Sequence, residues 1–174
     1  MVNAPFVLLD DAASTDAAPT SRLYTEFARE LRCSDPETLD AVWTQAEEAM
    51  RAGLHCVIAA DYEWGAKLLR AGHGKLSADD GSALRVLFFC KMARLSRAEV
   101  SAWLAAREGR ADPAPAGVLT MRPSVDREAF DRSIDRVRAL IQAGETYQVN
   151  YTYRLSGDVL GSPVALYRRL RARQ

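Results

Sequence analysis

The chain has 174 residues, 48% of them hydrophobic and 26% charged, which suits one ordinary domain or one domain with part of another and excludes a chain disordered throughout. Twenty-three basic residues balance 23 acidic ones, and the densest basic run is only RRLRAR near the end, so composition points away from nucleic-acid binding. Cys33, Cys56 and Cys90 are odd in number and widely spaced, which favours reduced, mostly buried thiols over a disulfide framework or a zinc site.

In chain order, Phe6 to Leu9 reads as a short buried strand, and an Asp-, Ala- and Pro-containing loop runs on to Pro19. Pairing resumes with a strand near Arg22 to Phe27. Ser34-Asp35-Pro36-Glu37 is a capping box, which predicts a helix from about Asp35 to Ala52 with Leu39, Trp43, Ala46 and Met50 on its buried stripe. Gly53 stands where a left-handed terminating residue is wanted. Leu54 to Ala60 is a mostly apolar strand, Leu76 to Ser82 is rich in turn formers, and Ala83 to Met92 is another strand. Ser96-Arg97-Ala98-Glu99 repeats the capping box and opens a helix to about Arg107, with Val100, Trp103 and Leu104 facing inward.

Residues 109–117 combine prolines, glycines and small residues, the composition of a linker, and a domain boundary is placed there. Beyond it, Gly117 to Arg122 reads as a strand. Ser124 opens a helix with Phe130, Ile134, Val137, Leu140 and Ile141 at helical spacing, and Gly144 ends it. Gln148 to Leu155 then alternates: Val149, Tyr151, Tyr153 and Leu155 would face one way, and Gln148, Asn150, Thr152 and Arg154 the other. Ser162 and Pro163 start a last helix, whose arginines Arg168, Arg169, Arg171 and Arg173 read as a solvated face.

The only histidines, His55 and His73, give little material for a catalytic triad or a multi-histidine metal site. His55 lies in an apolar strand and reads as a core residue; His73, in the Gly-flanked RAGHGK, lacks the pattern of a phosphate-binding loop. The first residues lack the form of a secretory signal, and no apolar run reaches membrane length, so the expected compartment is the cytoplasm and no membrane partner is expected.

The segment AGETYQVNYTYRL, at Ala143 to Leu155, resembles the chorismate-utilising enzymes, specifically component I of aminodeoxychorismate synthase and of anthranilate synthase. PFVLLDDA at Pro5 to Ala12, SRLY at Ser21 to Tyr24 and ADYEWGAKL at Ala60 to Leu68 match in the same order. The TYRL ending and Tyr-Glu-Trp-Gly look more like the aminodeoxychorismate branch, with the anthranilate branch as the alternative. The resemblance implies an α+β protein of the two-layer sheet-and-helix kind, with an amino-terminal domain over residues 1–108, a linker over 109–117 and the start of the chorismate-binding domain over 118–174.

By that resemblance the complete enzyme binds chorismate, uses magnesium, receives ammonia from a glutamine amidotransferase subunit (component II) and places an amino group on chorismate for 4-aminobenzoate and folate synthesis. The family's catalytic lysine and metal-binding glutamates belong to later segments, so no catalytic or metal-binding residue is assigned to this chain and it is expected to be inactive alone. The family's amino-terminal tryptophan pocket corresponds to Leu9, Asp11, Arg22 and Tyr24, with Asp11 standing where serine is common. Its carboxylate could receive a ligand ammonium, or could simply hold a loop. Gln148 and Asn150 are the substrate-side candidates, and backbone-satisfying amides are the plainer reading. A noncatalytic tryptophan-binding or partner-docking module is the reading from another class.

Overall fold

The computed structural model describes residues 4–69 and 81–173. By internal contacts the chain divides into two units, Met1–Ala102 and Trp103–Gln174. The architecture is α+β, with helices and antiparallel strands in both. His73, Lys75 and most of the turn-rich Leu76 to Ser82 stretch fall outside the described residues.

The first unit is built on a four-stranded antiparallel sheet of order β1-β2-β4-β3, comprising β1 (Val7–Leu9), β2 (Ser21–Cys33), β3 (His55–Ala60) and β4 (Leu84–Leu95). β2 runs well past the expected Phe27. Its polar residues Glu26, Arg29, Glu30 and Arg32 hide the strand pattern, yet the ladder to β4 continues from Ser21 opposite Leu95 to Cys33 opposite Leu84. One residue is absorbed between Phe27 and Arg29, where the register shifts, and Glu26 just before it takes a left-handed backbone with φ 57°. Glu26 also pairs with Lys91 across the ladder at 2.5 Å.

Helix α1 (Leu39–Arg51) starts later than the sequence suggests. Asp35, not Ser34, does the capping: its Oδ1 accepts from the Glu37 amide at 3.0 Å and starts a short 3-10 turn at Pro36–Thr38. The buried stripe is also rotated from the one expected, to Val42, Ala46 and Ala49, leaving Met50 53% exposed. These three pack with Cys33, Trp64, Leu84, Val86 and Phe88 into one core, with Leu39 and Trp43 at its margin. Trp64 reaches that core from a helix the sequence reading missed, α2 (Tyr62–Leu68), whose brevity and internal Gly65 weaken any periodic signal. Cys33 is buried as expected, whereas Cys90 is exposed on β4.

Helix α3 (Arg97–Glu108) begins with a reciprocal capping box. Ser96 Oγ accepts from the Glu99 amide at 3.2 Å, and Glu99 Oε2 accepts from the Ser96 amide at 2.8 Å.

The second unit contains β5 (Gly117–Pro123), α4 (Arg127–Gln142), β6 (Leu155–Leu160) and α5 (Pro163–Arg171), with β5 and β6 forming a two-stranded antiparallel ribbon. Two expectations fail here. Asp126 caps α4 by accepting from the Ala129 amide at 2.7 Å, while Ser124 exchanges bonds with Arg154 instead: its amide donates to the Arg154 carbonyl at 2.8 Å and its Oγ accepts from the Arg154 amide at 3.0 Å. The strand expected over Gln148 to Leu155 lies one segment later, at Leu155–Leu160, because among the described residues no strand pairs with residues 148–154. At α5, Ser162 caps as read, accepting from the Ala165 amide at 3.0 Å, with Pro163 in the first turn.

Arg168 corrects the solvated-arginine reading of the last helix. Its side chain is 10% exposed and that of Glu108 is 8% exposed; the two pair directly, and Arg168 also donates to the carbonyls of Arg110 and Ala111. Glu108 Oε1 accepts from the Ala114 amide at 2.8 Å. This clasp holds the Pro- and Gly-rich stretch after α3. The Ala114 amide bond and the Arg168 guanidinium hold the Glu108 carboxyl below its ordinary range.

A depressed carboxyl contributes stability that is complete above its unfolded-state value, near 4.5 for a glutamate, and is lost as pH falls through the lower folded value. Glu108→Gln is therefore expected to destabilise α5 and the 109–117 stretch at neutral pH, with the difference from wild type fading in acid; amide exchange across α5 at both pH values checks it. Ser96→Ala should cost about 1 kcal/mol in urea denaturation, since it orphans the Glu99 amide at a buried helix start.

Candidate functional site

Two regions carry the candidate residues, one in each unit. In the first, β1 pairs with β2 so that Val7 lies opposite Tyr24, Leu8 opposite Leu23 and Leu9 opposite Arg22. Side chains alternate along a strand, so Leu9, Arg22 and Tyr24 share one face and Leu8 belongs to the other. Tyr24 is buried, at 7% exposure, its ring tilted against Phe89 at 5.9 Å and edge-on to His55 at 6.5 Å; Phe27 meets Phe89 edge-on at 5.7 Å. His55, read from the sequence as a core residue, is half-buried at the margin of this aromatic cluster. Leu9 remains 41% exposed at the margin.

Asp11 follows β1 and is committed to its own loop. Oδ2 accepts from the Thr20 hydroxyl at 2.6 Å and Oδ1 from the Ala13 amide at 2.9 Å, while the Asp11 amide donates to Ser21 Oγ at 3.0 Å. The Thr20 bond, then the Ala13 bond, lower its pKa. Buried Ser14 and Ser21, which the sequence reading passed over, complete the anchorage: Ser14 Oγ donates to the Leu95 carbonyl at 2.8 Å and accepts from the Thr20 amide at 2.9 Å. Both carboxylate oxygens are engaged within the loop, which gives Asp11 a loop-holding role. Nothing local in the sequence marks the serines, whose partners include a strand end far along the chain.

In the second unit, α4 ends in a Schellman turn. Gly144 has φ 74°, its amide donates to the Ile141 carbonyl at 3.1 Å, and the Glu145 amide reaches the Leu140 carbonyl at 3.1 Å. The reversal brings the following segment back along the helix. Tyr151 and Tyr153 meet Phe130 edge-on, at 5.7 and 6.0 Å between ring centroids. The alternation read from the sequence therefore survives for the tyrosines, although the segment is not a strand. Gln148 and Asn150 are exposed, with Gln148 Nε2 donating to Asn150 Oδ1 at 3.4 Å. Beside Tyr153 and Phe130 lies a shallow cavity of about 310 Å³, completed by Pro123, Val125, Asp126 and Arg127. Arg127 is held by both carboxylate oxygens of Asp131, at 2.8 and 3.0 Å, which raises its pKa.

The family model for chorismate binding enzyme matches residues 11–174, spanning both regions. The chain belongs to that family. No curated protein and no solved structure matches it.

Among the described residues of this chorismate-binding enzyme, no group of three or more His, Cys, Asp or Glu side chains is arranged to hold a metal ion. No helix among the described residues is long and apolar enough to cross a membrane. What the chain offers chemically is an aromatic-backed segment whose amides point outward and a loop pinned by Asp11.

Removing that carboxylate is expected to release the loop. Asp11→Ala should speed amide exchange at Ala13 and loosen residues 11–20. The wild-type protection should itself decline as pH falls below the ordinary aspartate value of 3.8 and through the lower folded value, because the contribution of a depressed carboxyl is present only above that window. Site-resolved hydrogen exchange measures both effects.

Proposed function

We propose that the chain is the amino-terminal part of an aminodeoxychorismate synthase component I, which converts chorismate and ammonia to 4-amino-4-deoxychorismate. The observation that carries this reading is the Ala143 to Leu155 segment, in a chain that belongs to the chorismate-binding enzymes. Its Gly144 turn and its two tyrosines seated on Phe130 have defined places, which fits a segment with a specific task rather than a surface connection. The upstream matches at Pro5, Ser21 and Ala60 run in the same order, and the TYRL ending of the Ala143 to Leu155 segment together with the upstream Tyr-Glu-Trp-Gly favours the aminodeoxychorismate branch.

In this reading the complete enzyme has an anthranilate synthase component I-like fold. It would take ammonia from a glutamine amidotransferase subunit, and magnesium would supply polarisation of the leaving hydroxyl. Gln148 and Asn150 supply amide donors and acceptors on the substrate side, and the β1–β2 face with Leu9, Arg22 and Tyr24 is the tryptophan-pocket counterpart.

The test is a pair of chimeras in which residues 1–174 replace the corresponding part of an aminodeoxychorismate synthase component I or of an anthranilate synthase component I. The expected result is growth of a 4-aminobenzoate auxotroph with the first and no growth of a tryptophan auxotroph with the second. The reverse pattern would assign the chain to the anthranilate branch. The 174-residue chain alone, given chorismate, magnesium and ammonia, is expected to form no aminated product; protein-dependent product would overturn the assignment of catalysis to other segments.

A further inference from the structure

By composition residues 109–117 are a flexible connection, yet in the structure they form a strap gripped at two points. α3 ends in a left-handed turn, with φ 73° at Gly109 and the Arg110 amide donating to the Ala105 carbonyl at 3.1 Å. At the first grip, the Arg168 guanidinium donates to the Glu108 carboxylate and to the carbonyls of Arg110 and Ala111. The same carboxylate accepts from the Ala114 amide at 2.8 Å. Pro113 and Pro115 carry no amide hydrogen, so Ala114 holds the one donor of that tripeptide, and Glu108 takes it. At the second grip stands Gly161, at φ 82° in the turn between β6 and α5. A Cβ there would lie 2.5 Å from the Pro115 carbonyl oxygen and 2.9 Å from Ala116 Cβ, so only glycine lets the two backbones approach this closely.

Both grips come from α5 or from the turn that starts it, and Glu108 is itself held by Arg168. Among the described residues, the strap has no helix or strand of its own between α3 and β5. Its order is therefore borrowed from α5. The loan is withdrawn all at once, because one guanidinium serves three acceptors: when Arg168 leaves, a buried carboxylate and two carbonyls lose their donor together. The Arg110–Ala111 peptide reports which state is present. A serine protease must seat the scissile carbonyl oxygen in its own oxyanion hole, and in the closed strap that oxygen, on Arg110, is already bonded to Arg168.

We propose that residues 109–116 are a latch with two states, closed and shielded from proteases while α5 is seated, open and cleavable when Arg168 withdraws. Limited trypsin digestion of the 174-residue chain at neutral pH tests it. Wild type should stay uncut after Arg110 over a time in which the urea-unfolded chain is digested. Arg168→Lys keeps the charge and the number of trypsin sites but cannot span three acceptors, and should speed the cut after Arg110 about tenfold or more. Gly161→Ala, whose methyl meets Pro115 at the second grip, should speed the same cut with Arg168 unchanged. In both variants the sites within α4, at Arg132, Arg136 and Arg138, should keep their wild-type rates. Rapid cutting of wild type after Arg110, a variant cut no faster than wild type, or acceleration that spreads into α4 would each overturn the latch. A measurement that needs no variant is native-state amide exchange. The Ala114 amide should open together with those of Leu166 and Ala172 in α5, and an Ala114 amide that exchanges while α5 stays protected shows a strap that opens by itself, which sinks the proposal.

Discussion

The antiparallel ladder between β2 and β4 is the constraint on which the first unit depends. It joins the two longest strands from Ser21 opposite Leu95 to Cys33 opposite Leu84, and β1 and β3 attach to its outer edges. Leu84, Val86 and Phe88 of β4 give α1 and α2 their apolar footing, while Phe89 collects Tyr24, Phe27 and the neighbourhood of His55. The bulge after Phe27 lets one strand serve both tasks, because an extra residue resets which side chains face the helices. The loop before β2 is then fastened to the adjacent end of the same ladder through Ser14 and the Leu95 carbonyl.

In the second unit, bonds between side chains and backbone carry much of the order that apolar burial carries in the first. Ser124 closes a two-way exchange with Arg154, and Glu108 and Arg168 saturate amides and carbonyls of the stretch between α3 and β5. Among the described residues there, Leu104 and Ala165 are the buried hydrophobics, and α4 buries no residue fully. Such a unit has well-made local turns and an apolar surface still facing outward.

Legibility followed the range of the interaction. The Ser96–Glu99 capping box, the Ser162 cap and the Gly144 turn were readable because donor, acceptor and backbone strain lie within a few residues of one another. The Tyr151 and Tyr153 face was readable from alternation, and the family from the order of short motifs. The length of β2 was not, because its polar residues are rescued by a partner strand far along the chain. The same holds for Asp11, whose Oδ2 accepts from Thr20 across a loop, and for Arg168, whose partner Glu108 no local pattern connects to it. Asp35 displaced Ser34 as the cap because two adjacent residues both qualify and only geometry chooses.

The strand order also has a consequence for how the chain is made. β4 is the last strand of its sheet to be synthesised, yet it sits between β2 and β3 and is, among the described residues, the one strand that pairs with β3. Until Leu95 has been translated, β1 and β2 can form a ribbon and α1 can coil, but β3 has nothing to pair with and the core of Val42, Ala46 and Trp64 lacks its floor. Synthesis from the amino terminus thus leaves β2 and β3 with waiting edges for dozens of residues, and closes them together in one late step. A nascent chain arrested before β4 would show the hairpin and the helix but no sheet, and it is in that interval that this protein is most in need of protection from its neighbours.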